Sequence, residues 1–448
     1  MNPSRRAKSW SFTALILIAP GLLAQESSQV AAANRAAPLI LTLQDALTRA
    51  RANEPQFHAA LTESGVAHEN AVQSRAALLP GVNYNAAFLY TQGNGTSTGR
   101  FVGANGVHEY ISQGAVQQSL SLQGIAEFRR ARAEEALAKA RLEIASRGLV
   151  SGVVAAYYGS VVAQRKYATA QQATSEAERF FDITQKLERG GEVAHSDTIK
   201  AQLQLQQQQR TLQDAQLEMD RSRLELSVLI FPNFNENFTT VDDLENIAPV
   251  PSYEEAEKSA GEKNPHLRVA IASLRAANQD VAVAWNSFLP SLTMDYAYGI
   301  DANQFAVNGF DPATQVRVRN LGYSAAATLQ LPIWAWGAGR SKVKSAQLQR
   351  DQAKLELSFA QRKMVADLKT FYAEAQTTRS ELESLRQSAE LAAESQRLTT
   401  LRYQAGEATV LEVVDAQNTL TAAQNALGDG QLRFRVAVAN LQTLTGNF

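Results

Sequence analysis

Two stretches of the chain, KLERGGEVAHSDTIKAQ (186–202) and LRYQAGEATVLEVVDAQ (401–417), follow one plan. Gly191 matches Gly406 and Gln202 matches Gln417, both at an offset of 215. The match extends upstream, where Asn53-Glu54-Pro55 is answered by Lys263-Asn264-Pro265 and Leu79-Pro80 by Leu289-Pro290, each at an offset of 210. The residues gained by the later copy lie around PIWAWGAGR (332–340). A self-match at a fixed period decides the architecture before any local motif can. The chain is expected to be one unit made twice, 43–230 and 253–446, joined by an Asn-, Pro- and Asp-rich segment at 231–252.

Each unit changes its pattern in the same order. A helical segment comes first (Leu43 to Ala77, then Tyr253 to Ser287), with a Pro near its first turns. Period-two alternation follows. In LTMDYAYGID, Leu292, Met294, Tyr296, Tyr298 and Ile300 share one face, and Asp295 and Asp301 fall on the other. Strand pairs are expected at 80–91 with 110–121, and at 290–301 with 322–332, each pair joined by a loop of about 15–20 residues. The remainder is helix without Pro, from Gln123 to Glu188 and from Ser341 to Gln404. About 65 residues at 1.5 Å each make a rod of roughly 95–100 Å. After each glycine turn a second helix runs back, His195 to Leu229 and Val410 to Leu444.

Composition excludes several functions. A net charge of -1 leaves no electrostatic footprint for nucleic acid. The absence of cysteine removes disulfides, thiolate metal sites and cysteine nucleophiles. The five histidines (His58, His68, His108, His195, His266) have no metal-ligand spacing, GNG at Gly93 and GAG at Gly337 lack the rest of a phosphate loop, and no nucleophile–base pair can be read. The chain reads as no enzyme, with no cofactor. At the N-terminus, Arg5, Arg6 and Lys8 precede the apolar run FTALILIAPGLLA, which describes a secretory signal peptide over 1–24, followed by a flexible segment at 25–42.

Exported strands with one apolar and one polar face suit a lipid boundary. Four strands per chain in three associated chains would close a twelve-stranded barrel, and about 10 residues is the length a tilted strand needs to cross a bilayer. Trp285 and Phe288 stand before the third strand, and Trp334 and Trp336 after the fourth, so all four sit at one end of that hairpin. Tryptophan favours the membrane–water boundary, which assigns that end to the periplasmic interface.

The duplicated order, Leu-Pro before each first strand, LPIWAWGAGR after the last and YQAGEATVLEVVDAQ at the second turn together resemble the TolC-type outer membrane efflux proteins, over Leu43 to Gly446. The resemblance implies a mainly α protein with a transmembrane β part. The expected assembly is a homotrimer, its twelve-stranded β-barrel in outer membrane lipid continued by a helical coiled-coil barrel through the periplasm. It implies partners as well, a periplasmic adaptor protein and an inner-membrane pump. The turns, Gly190-Gly191-Glu192 and Ala405-Gly406-Glu407, would form the closed tip that meets the adaptor. Tyr403 is similar to the tyrosine that ties inner to outer coil, with Asp197 as its partner, and Glu412 and Asp415 to the acidic rings at the constriction. The best-studied tip of the family has an arginine where this chain has Ala408, which leaves Arg402 as the nearby replacement. On this reading the second turn is the gate and the first its frame.

Physical reasoning supports the ring. Glu412 and Asp415 are three residues apart and share a helix face, and carboxylates gathered on one axis attract cations. Export of small molecules is the expected function. The alternatives are the outlet of type I protein secretion, metal efflux, and an exported coiled-coil scaffold without a pore, in which QLQLQQQQ (202–209) is a wet helix face.

Overall fold

A computed structural model describes residues 38–90, 108–233, 237–246, 249–311 and 314–446. The expected signal peptide, most of segment 25–42 and the loop between the first strand pair lie outside these residues. The chain opens with strand β1 (Leu39–Leu41) and helices α1 (Leu43–Asn53) and α2 (Pro55–Ala76), then strands β2 (Gly81–Tyr90) and β3 (His108–Ser121). Helices α3 (Leu122–Arg189) and α4 (His195–Ile230) complete the first half. The second half runs β4 (Phe238–Thr240), α5 (Tyr253–Lys263), α6 (Pro265–Asn286), β5 (Ser291–Ala302), β6 (Asn308–Asp311), β7 (Val316–Arg319), β8 (Leu321–Gln330), α7 (Ala338–Gln404) and α8 (Val410–Thr445).

The single helices expected over 43–77 and 253–287 are each broken in two. Pro55 and Pro265 occupy the first helical position, and the residues before them, Glu54 and Asn264, are extended. Proline disfavours the α region for the residue that precedes it. Those residues become N-caps: Glu54 accepts from the Phe57 amide and Asn264 from that of Leu267, at 2.5 and 2.8 Å.

Segment 25–42, expected to be flexible, and the linker 231–252 each carry a short strand where they are described. β1 pairs in parallel with β4, and Leu41 and Phe238 are buried in the main apolar cluster against Tyr157, Leu226 and Ile230. The Tyr157 hydroxyl donates to the carbonyls of Leu41 and Val241 at 3.0 and 2.8 Å. Burial pushes its pKa up to about 12, so it stays a donor throughout the physiological range. Arg165 pairs with Asp242 and reaches Gln431 Oε1 at 2.7 Å, while Arg435 stacks on Tyr158 and donates to the Asp243 carbonyl. The stretch around 241–244 therefore clamps the middle of α3 to α8.

β2, β3, β5 and β8 form one antiparallel sheet in that order, with β2 and β8 at its edges. The register places Tyr84 opposite Gly114, Gly114 opposite Tyr298 and Tyr298 opposite Tyr323. One face of all four strands is therefore apolar: Val82, Tyr84 and Phe88 continue through Val116 to Met294, Tyr296 and Tyr298 and on to Tyr323 and Leu329, all of them exposed. The opposite face carries Asn83, Asn85, Gln113, Gln117, Asp295, Ser324 and Thr328. The loop expected between the last two strands is itself a hairpin, β6 paired with β7. No helix among the described residues is long and apolar enough to cross a membrane.

Candidate functional site

Both long hairpins, α3–α4 and α7–α8, reverse at the end remote from the sheet. The two turns have one backbone. Gly191 and Gly406 take φ of +77° and +79°. The Gly191 amide donates to Glu188 O at 2.9 Å and the Glu192 amide to Leu187 O at 2.9 Å. At the second turn Gly406 donates to Tyr403 O at 3.0 Å and Glu407 to Arg402 O at 2.8 Å. This paired closure is the Schellman motif, which needs a left-handed residue after the helix cap, a position that suits glycine. Gly190 and Ala405, the caps themselves, are right-handed.

The helices that leave the turns start differently. α8 begins with a capping box: the Glu412 amide donates to Thr409 Oγ1 at 3.3 Å, and the Thr409 amide donates back to Glu412 Oε1 at 3.1 Å. These bonds from the Thr409 backbone and hydroxyl, with the Arg402 guanidinium 3.7 Å away, hold the Glu412 carboxyl below the ordinary carboxylate range. Ala194 stands at the equivalent place before α4 and makes no side-chain cap. His195 Nδ1 instead lies 2.7 Å from Glu188 Oε1 across the first turn.

Tyr403 is buried where α3, α4, α7 and α8 meet, among Phe180, Ala201, Val410 and Val413. Its ring lies 5.0 Å from that of Phe180. Its hydroxyl donates to Thr184 Oγ1 at 3.4 Å, whereas the Asp197 carboxylate is held by Lys200 at 3.1 Å. The hydroxyl thus meets α3 rather than the expected carboxylate on α4, because the ring enters the apolar seam and Asp197 stays with its own helix. Arg402 keeps to its own turn, donating to Glu407 O at 3.1 Å. Asp415 is exposed, on the side of α8 opposite the buried Val413, Ala416, Gln417 and Leu420. The structure brings Tyr403 and Glu412 to one turn, places Asp415 one helical turn further along α8 than Glu412, and leaves Asp197 with Lys200. Thr184 and Thr409 were missed by sequence reasoning, although Thr409-x-x-Glu412 is a legible capping signal.

At the other end, Trp285, Phe288, Trp334 and Trp336 gather where the sheet passes into helix. Trp285 lies 6.0 Å from Phe288, and Trp334 5.8 Å from Trp336. A Cβ on Gly339 would sit 2.5 Å from the Phe288 ring, so the glycine of LPIWAWGAGR is what lets that ring close on the start of α7. Among the described residues no group of His, Asp and Glu could hold a metal ion.

An apolar-faced sheet set on paired helical rods defines the class, an outer membrane channel that reaches into the periplasm. A family model described as outer membrane efflux protein matches residues 46–230 and 258–447, and the chain belongs to that family. The alkaline protease secretion protein AprF of Pseudomonas aeruginosa is 22% identical over 99% of this chain and 89% of its own length. The outer membrane protein TolC of Escherichia coli is 22% identical over 90% of this chain and 82% of its own. Among solved structures, the CmeC outer membrane channel of Campylobacter jejuni superposes with a TM-score of 0.78 at 16% identity, covering 90% of this chain and 85% of that one.

Proposed function

We propose that three copies of this chain form one duct, the exit of a tripartite efflux system that exports small toxic molecules. A periplasmic adaptor and an inner-membrane pump would complete the system. The two halves of the chain are read as copies of one unit, so that each protomer supplies two of six similar hairpins. The observation that carries this reading is the sheet. It is open at both edges, β2 and β8, and an unpaired edge is a template for another chain. Its apolar face runs through all four strands, interrupted on β3 by Ser112, Gly114 and Gln118, whereas a water-filled lumen accepts the polar one. Closure by edge pairing between three protomers gives twelve strands. Unpartnered apolar residues recur on the rods, Ile199, Leu203, Leu217, Leu224 and Val228 on α4 and Leu391, Leu398 and Leu401 on α7. Those are the stripes that neighbouring protomers would cover.

The turns are the periplasmic end, with Tyr403 packing the two hairpins together and Glu412 and Asp415 near the constriction. A second reading, the outlet of a protein secretion system, is favoured by the match to a protease secretion protein over nearly the whole chain. The test is to extract the protein from membranes with detergent and measure its mass, its conductance in planar bilayers, and the drug sensitivity and secreted protein of a deletion strain. A trimer that conducts, with drug sensitivity raised by the deletion, supports the efflux reading. Loss of a secreted protein with unchanged drug sensitivity favours the second. Release by salt or urea as a non-conducting species overturns both.

A further inference from the structure

In the glutamine run at 202–209, Gln202, Gln206, Gln207 and Gln209 are exposed, as a wet helix face requires, but Gln204 and Gln208 turn toward the second hairpin. Gln204 and Gln208 are buried, at 8% and 5% exposure, one turn apart on the side of α4 that faces α8. Both amide groups donate to a single acceptor, Asn418 Oδ1 on α8, at 2.8 and 3.2 Å. The Thr174 hydroxyl on α3 donates to the Gln208 carbonyl at 3.2 Å, which brings the third helix into the same joint. Gln417 is buried beside it at 6%. Elsewhere α4 approaches α8 little, since the contact between the hairpins runs mainly through α3.

We propose that Asn418 is the positioning residue that locks the α7–α8 hairpin to the α3–α4 hairpin, and that the turn end opens only when the Gln204–Asn418–Gln208 joint parts. This rests on the reading of the chain as a gated duct. An apolar seam can slide by small steps because each contact is replaced by a similar one. An amide joint resists this: although Asn418 itself is exposed, a shift of one residue takes the acceptor from the two buried glutamine amides, each carrying a desolvation penalty greater than the gain of one bond. Single buried amides set register between helices for this reason. The joint is also unsaturated. Gln208 Oε1 and Gln417 Oε1 are buried without a hydrogen-bond partner. The observed arrangement therefore fixes register while leaving acceptors that a second arrangement could satisfy, the property expected of a two-state element. Asn418 stands where the first hairpin has Leu203 (418 minus 215), so the acceptor is carried by one hairpin alone.

The experiment uses the full-length protein in planar bilayers. Asn418→Leu, and Gln204→Leu with Gln208→Leu, should each raise the open-to-closed ratio about fivefold. Asn418→Asp keeps an acceptor and should stay close to wild type, and the combination of all three leucines should add little to either set. The chain has no cysteine, so spin labels at Glu192→Cys and Glu407→Cys report the separation of the turns directly, and that distribution should broaden in Asn418→Leu but not in Asn418→Asp. Wild-type gating in Asn418→Leu, or equal opening in Asn418→Asp and Asn418→Leu, overturns the proposal. If no variant conducts, the duct reading fails by itself. The spin-label distances then decide the joint: a broadened distribution in Asn418→Leu upholds it and an unchanged one overturns it.

Discussion

At the scale of single residues the turn end is held by a few groups of different chemistry. Glu412 illustrates the electrostatic part. Its folded-state pKa lies below the ordinary 4.5, so its contribution is present above that value and is lost as pH falls through the depressed one. The first turn of α8 should therefore lose amide protection below about pH 4.5, measured by hydrogen exchange corrected for intrinsic rate. Glu412→Gln keeps a capping box and should flatten that dependence. Tyr403 illustrates the packing part. Tyr403→Ala removes a ring from the junction of four helices and should cost about 3–5 kcal/mol locally, seen as protease sensitivity at the turns. Thr184→Val should mimic Tyr403→Phe, both small effects, because a bond of 3.4 Å is near the limit of hydrogen bonding. Sequence alone pointed to Tyr403 but not to its partner. The identity of a partner depends on how far a ring sinks into a seam, and no spacing in the chain records that depth.

At the scale of elements, caps and breaks decide where helices begin and end. Gly191 and Ala405 make a controlled contrast. Gly191→Ala forces a Cβ into a left-handed backbone at about 1–2 kcal/mol, and Gly406→Ala should do the same. Gly190→Ala should be tolerated, since the second turn already carries Ala405 there in a right-handed conformation. Thermal melting of the turn hairpins, followed by hydrogen exchange, checks all three. Thr409→Ala should remove a cap worth about 1 kcal/mol from α8, and Ala194→Thr should supply one to α4. The long helices were legible to within a few residues because nothing interrupts their pattern for more than 60 positions. The breaks at Pro55 and Pro265 were not, because a proline in a first turn is compatible with a helix that simply starts there. β1 and β4 were missed for another reason: three-residue strands carry no periodicity, and their pairing joins segments about 200 residues apart.

At the scale of the whole molecule the proposed reading makes the sheet the boundary with lipid. Tyr296→Lys places a charge on the apolar face and should cost about 2–4 kcal/mol if it meets the bilayer midplane. It should be read as lost membrane assembly in a heat-modifiability gel. Thr328→Lys, on the polar face, should assemble normally. Period-two alternation made the second strand pair readable, whereas β3 was harder because Gly114 and Ser112 interrupt its apolar face. Their place in that face becomes evident only once Tyr84, Tyr298 and Ile300 are seen beside them.

The clamp formed by Tyr157, Arg165 and Arg435 sits partway along the rods, and that position gives the molecule leverage. From Arg435 back to Val410 is 25 residues of unbroken helix, an arm of about 37 Å. A tilt of about 10° at the clamp then carries the turns through about 6 Å, wider than two water molecules, while the fulcrum itself hardly moves. In the proposed duct, small adjustments among a handful of hydrogen bonds at mid-height would be magnified, by length alone, into a stroke large enough to change what can pass at the far end.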